Sequence, residues 1–267
     1  MARPGEGAGG DDTGVDVAGP SNAQSIVFVH GAMFTRKMWL PQQRELAEDF
    51  HVVAPDLPGH GARAGKPFRM EPAIDVVSDV IERYTDGSAV LVGLSLGGYT
   101  VTEYAYRFPG EVDALVLSGS SVNPVNTMEL GTRLTGGLAR LLTKPDLGKR
   151  AVEKLAARWV RNRNLPPDIE REIIDSGFYP KQFGDAGPDI AGEDFRGALS
   201  TYPGSTLILN GENDKLMRRG EQAHAAAARD GRVEVLADAG HICNLHRPAT
   251  YTDRVRRFVR QAARTRQ

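Results

Sequence analysis

Three observations predict an α/β fold, a mostly parallel sheet with helices on both faces and a helical insertion. Short apolar runs recur along the chain, and helical patterns separate them. One stretch of about eighty residues carries helical patterns without a strand. A chain of 267 residues with 40% hydrophobic content can bury one large core, so a second core is not required. Parallel strands are covered on both faces and read as continuous apolar runs, and the strand-helix-strand alternation implies right-handed crossovers.

The first 25 residues are Gly-rich, contain Asp11 and Asp12, and lack the apolar core of a signal peptide, so a disordered leader is expected over 1–25. Strands are predicted over 26–29, 51–54, 89–92, 114–117, 206–209 and 233–236. A helix is predicted over 70–84, where Ile74, Val77, Ile81 and Tyr84 share a stripe. Another is predicted over 96–107, ending before Pro109 and Gly110. The alternation breaks over 120–202, where helices are predicted over 126–142, 146–161 and 167–176. Leu134, Leu138, Leu141, Leu155 and Trp159 of this insertion are expected chiefly to pack onto the parent domain, with pocket lining as the other role. The predicted organisation is a leader (1–25), a core (26–119 and 203–267) and a helical cap (120–202).

The formal charge of −1 offers no overall attraction to phosphate backbones or anionic lipid, so neither a nucleic-acid nor a membrane partner is expected. A small-molecule substrate fits better. The lone cysteine, Cys243, rules out an intramolecular disulfide and zinc-finger-type thiolate sites, and a reducing, cytoplasmic setting fits.

The run Gly93-Leu94-Ser95-Leu96-Gly97 matches Gly-x-Ser-x-Gly, with a predicted strand in front and a predicted helix behind. Such a turn lifts the serine hydroxyl to the sheet's C-terminal edge; a serine there also suits a plain helix N-cap. As a nucleophile it needs a histidine to take its proton and a carboxylate to orient that histidine. His241 follows the last predicted strand and Asp214 follows the strand over 206–209, which puts both at the same edge. The order Ser, Asp, His is that of a known triad arrangement. Glu212 and Asp238 compete for the acid, and His246 for the base. His30 and His60 sit in glycine-flanked turns, His51 begins a strand and His224 lies in an alanine-rich helix. Oxyanion donors are expected from the amide of Leu96 and from the turn after the strand over 26–29.

Five ordered motifs resemble those of the α/β-hydrolase superfamily: His30-Gly31-Ala32-Met33, Asp56-Leu57-Pro58-Gly59-His60-Gly61, Gly93-Leu94-Ser95-Leu96-Gly97-Gly98, Gly211-Glu212-Asn213-Asp214 and Gly240-His241. The resemblance spans about 26–262. It implies Ser95 as nucleophile, His241 as base, Asp214 as acid and the amides of Ala32 and Leu96 as the oxyanion hole. Met33 would then point toward the acyl group, and Trp159 is the candidate substrate contact from the cap. In that family an insertion at this place covers the active site and sets substrate preference. The family commonly begins with two strands before the His-Gly turn; the leader has too few apolar residues for them, which makes the chain similar to the plant methyl-esterase and hydroxynitrile-lyase branch.

The expected activity is hydrolysis of an ester, thioester or lactone of a small, largely hydrophobic substrate through an acyl-enzyme, with neither metal nor organic cofactor. Carbon-carbon hydrolysis, cyanohydrin cleavage, cofactor-free perhydrolysis and slow-turnover ligand reception are the alternatives the same fold allows.

Overall fold

The computed structural model describes residues 13–143 and 146–265. Seven strands form one sheet: β1 (Val15–Ala18), β2 (Ser25–Val29), β3 (His51–Pro55), β4 (Ala89–Leu94), β5 (Val112–Ser118), β6 (Ser205–Gly211) and β7 (Asp230–Leu236). Their spatial order is β1-β3-β2-β4-β5-β6-β7, with β1 antiparallel to β3 and every other pair parallel. The central strands are fully buried, and alternate residues feed two cores. Ile26, Phe28, Val90, Val92, Val116 and Leu207 face one side, whereas Val27, Val29, Leu91, Leu115 and Ile208 face the other.

Helices α1 (Leu40–Leu46), α2 (Met70–Tyr84) and α3 (Leu96–Arg107) connect the first five strands. Five more follow β5: α4 (Thr127–Thr143), α5 (Asp146–Arg161), α6 (Pro167–Asp175), α7 (Pro180–Ile190) and α8 (Phe195–Thr201). Then come α9 (Lys215–Arg218) and α10 (Glu221–Ala227) between β6 and β7, and α11 (Cys243–His246) and α12 (Pro248–Thr265) after β7. The apolar face of α12, through Tyr251, Val255, Phe258 and Val259, joins one core, while α2 and α3 close the other through Val77, Ile81, Val101 and Tyr104.

Two expectations need correction. Residues 15–18 of the leader are not disordered: β1 pairs with β3 in the register Val15↔Pro55 to Ala18↔Val52. This strand is held mainly by backbone pairing and charge, with Val15 alone packing partly against the core. Val17 is half exposed, and Asp16 takes ion pairs from Arg36 and Lys37, each at 2.9 Å. Residues 1–12 lie outside the described part. Second, Leu134, Leu138, Leu141 and Leu155 do not pack onto the parent domain but are exposed. Helix α4 instead meets α7 through small residues. A Cβ at Gly136 would stand 3.3 Å from Gly187 Cα, and one at Gly184 would stand 2.9 Å from the Arg140 Cβ. That close approach turns the bulky leucines outward.

Candidate active site

After β2 the chain moves outward to β3, then returns across β2 to start β4. The loops leaving β2 and β4 therefore diverge, opening the crevice in which α/β sheets bind ligands. Ser95 stands at the end of β4 with φ 55° and ψ −116°, a left-handed conformation that a non-glycine residue adopts only at a cost. Backbone bonds hold it there: its N–H donates to the Ser118 carbonyl at 2.7 Å, and its carbonyl accepts from Gly98 at 2.9 Å and Tyr99 at 3.2 Å. Gly97 lets α3 press against β2, because a Cβ there would overlap the Val29 carbonyl. Ser95 occupies the helix N-cap position, yet its side chain makes no capping bond. The hydroxyl instead lies 3.0 Å from His241 Nε2.

His241 Nδ1 lies 2.6 Å from Asp214 Oδ2. With Nδ1 protonated and donating to the carboxylate, Nε2 is left to accept from Ser95. Asp214 is buried beside α9, and its Oδ1 faces the Met217 N–H at 3.5 Å. The acid and histidine loops are tied together, since Asn213 N–H donates to the Ala239 carbonyl at 2.8 Å. Beneath the imidazole, Gly119 has φ +59°, and a Cβ there would press on His241 Cε1 at 2.8 Å.

The rival residues are engaged elsewhere. Glu212 Oε2 accepts from the Asp238 N–H at 3.0 Å, and Asp238 pairs with Arg247 at 2.9 Å. His246 packs edge-on against Trp159, with ring centroids 5.1 Å apart. His51 Nε2 donates to the Tyr84 carbonyl at 2.8 Å, and His224 Nδ1 accepts from Arg196 at 3.1 Å. Cys243 is buried, which pushes its thiol up to about 12 and keeps it protonated at neutral pH.

The other motif histidines brace the turn after β2. His30 Nδ1 donates to the Gly31 carbonyl at 2.9 Å while its Nε2 accepts from the Leu57 N–H at 2.9 Å; this fixes the neutral tautomer, and burial holds the ring's pKa well below its ordinary value. His60 Nε2 donates to the Ala32 carbonyl at 2.8 Å. Ala32 and Leu96 line the cavity beside Ser95, and among the described residues neither amide donates to a protein acceptor.

This cavity has a volume of about 600 Å³ and contains Ser95, His241 and Asp214. Its walls are mostly apolar: Tyr99 from α3, Val122 from the loop after β5, Met128 and Thr132 from α4, Phe183 and Ile190 from α7, and Leu216 and Met217 from α9. Met33 and Trp159, the two candidate substrate contacts, are not among its lining residues. Met33 packs into the core and its carbonyl accepts from Tyr179, while Trp159 lies between Phe34, His246 and the Arg163 guanidinium. The insertion thus reaches the cavity through α4 and α7 rather than α5. The α7 contacts have no sequence signal, because Gly184, Gly187 and Pro188 disguise that helix.

A sheet-edge serine beside a histidine and a carboxylate, on a doubly covered and mostly parallel sheet, defines an enzyme of the hydrolase class. The chain belongs to the alpha/beta hydrolase family, whose model matches residues 26–254. It is 26% identical over 257 residues to a pimeloyl-[acyl-carrier protein] methyl ester esterase of Nitrosospira multiformis, covering 88% of this chain and 94% of that one. It is 24% identical to the carboxylesterase YbfK of Bacillus subtilis, covering 92% and 84%. Its fold matches a thermophilic esterase from Thermogutta terrifontis with a TM-score of 0.76 at 22% identity, covering 93% of each chain.

Proposed function

We propose that the protein is a serine hydrolase that cleaves an ester, thioester or lactone of a small, largely hydrophobic substrate through an acyl-enzyme. The observation that carries this reading is the relay from Asp214 Oδ2 through His241 to Ser95 Oγ, at 2.6 and 3.0 Å, opening into an apolar cavity. His241 takes the Ser95 proton as Oγ attacks the carbonyl carbon, and Asp214 stabilises the imidazolium that forms. The amides of Ala32 and Leu96 face the developing oxyanion, where one such donor is worth about 3 to 4 kcal/mol. His241 then protonates the leaving group. Water, deprotonated by His241, releases the acid and restores Ser95.

Apolar walls from α4 and α7 favour an apolar acyl or alcohol portion, with few polar groups to orient it. The ester-cleaving relatives support a carboxylic ester as the first substrate class to test. Purified protein is expected to hydrolyse short p-nitrophenyl esters, and a fluorophosphonate is expected to label Ser95. Ser95→Ala should abolish labelling and lower kcat by at least about a thousandfold. Undiminished turnover in Ser95→Ala overturns the mechanism. A panel of esters, thioesters and lactones then ranks the substrate classes.

A further inference from the structure

We infer that α4 and α5 form a docking face for an anionic lipid surface. Leu130, Leu134, Leu138 and Leu141 recur at four- and three-residue steps and make one stripe along α4, between 56% and 65% exposed, with Leu142 beside it at 60%. Leu155 on α5 is 66% exposed. A soluble surface rarely shows so long an apolar row without a partner. Another face of the same α4, through Met128, Thr132 and Thr135, lines the cavity that holds Ser95. Exposed Met128, Phe183 and Leu216 also line that cavity, so its rim is apolar as well.

Charge selects the occupant. Residues 127–163 carry nine Lys and Arg against three Asp and Glu, although the chain as a whole stands at −1. The near-neutral total conceals a basic segment, α4 to α5, that the acidic residues after it in the chain offset. On α5, Arg150, Lys154, Arg158 and Arg161 follow helical spacing on one exposed face, and among the described residues no carboxylate pairs with them. Leu155 stands on α5 among these unpaired cations, and exposed leucines together with unpaired cations match the interfacial layer of an anionic membrane, where acyl chains lie beneath negative headgroups. A second copy fits less well, because a two-fold contact would set each basic row near its own duplicate. Among the described residues no helix is long and apolar enough to cross a membrane, so the attachment is interfacial.

The test is flotation of the full chain with phosphatidylcholine vesicles and with vesicles that also contain phosphatidylglycerol. The chain should float with the anionic vesicles and not with the zwitterionic ones, and about 0.5 M salt should weaken the partition tenfold or more. Leu134→Glu with Leu138→Glu should abolish flotation, and Arg150→Glu with Lys154→Glu and Arg158→Glu should weaken it at least tenfold. None of these five residues lines the cavity, so both variants should keep turnover of a soluble p-nitrophenyl ester, which also verifies that they fold. Flotation requires no turnover, so it stands or falls apart from the proposed reaction. Failure to float with anionic vesicles, or flotation of either variant equal to that of the unsubstituted chain, overturns the inference. So does a dimer that the leucine variant dissolves, or a stoichiometric complex with an acidic carrier protein, if either is found without vesicle binding.

Discussion

Two carboxylates stand two residues apart after β6, and only one of them meets the histidine. Asp214 reaches His241 at 2.6 Å, whereas Glu212 turns to the Asp238 amide. Asp214→Asn should therefore lower kcat by about ten-thousandfold by disfavouring the tautomer that accepts from Ser95. Glu212→Gln should leave kcat within a few fold, and steady-state rates on one soluble ester compare the two. Ser95 and His241 were legible because each ends a strand in a short Gly-bearing turn. For the acid, the resemblance favours Asp214 over Glu212 and Asp238, but spacing by itself does not separate Asp214 from Glu212, since which of two nearby carboxylates faces inward depends on the backbone turn. Met33 and Trp159 went astray for a related reason: an apolar side chain can fill a core or line a pocket, and composition does not say which.

At the scale of elements, the turn between β4 and α3 depends on the contact of Gly97 with β2. Gly97→Ala sets a methyl against the Val29 carbonyl, a rigid backbone atom that cannot rotate away. The expected cost is about 3 kcal/mol of stability, read as a lower urea midpoint at unchanged slope, with a further loss of kcat in the folded fraction. The six predicted strands all form: five are buried on both faces and leave an apolar run that needs no partner to be read, while edge strand β7, mostly unburied, shows through Val233, Val235 and Leu236. Strand β1 escaped because edge pairing with β3 and the Asp16 ion pairs stabilise it, and neither leaves an apolar pattern. Helices α7 and α8 escaped too. In α7 the glycines and Pro188 that look like breakers are what allow close packing on α4.

Across the whole molecule, buried histidines couple folding to pH. Burial lowers the pKa of His224 to about 4, with Arg196 adding to the shift, and burial also lowers those of His30 and His60. These rings are neutral in the folded chain and take up protons near pH 6.5 once unfolded. Their stabilisation is thus complete above pH 6.5 and is lost as pH falls toward the folded values. From His224 alone, stability should drop by about 2 kcal/mol between pH 7 and pH 5. Urea unfolding at both values measures the drop, and His224→Gln should make it smaller.

By itself the sequence determined the strand periodicity, the glycine turn that presents Ser95, and the order of serine, acid and histidine along the chain. All three are local, written in residue spacing and in conformations that few residue types tolerate. The tertiary structure alone decided that Glu212 turns away from His241, which helices wall the cavity, and that the leucines of α4 face outward. Those outcomes turn on how closely distant segments approach, as where Gly136, Gly184 and Gly187 bring α4 onto α7. Such approaches depend on steric fit between residues far apart in the chain, and no local pattern encodes that fit.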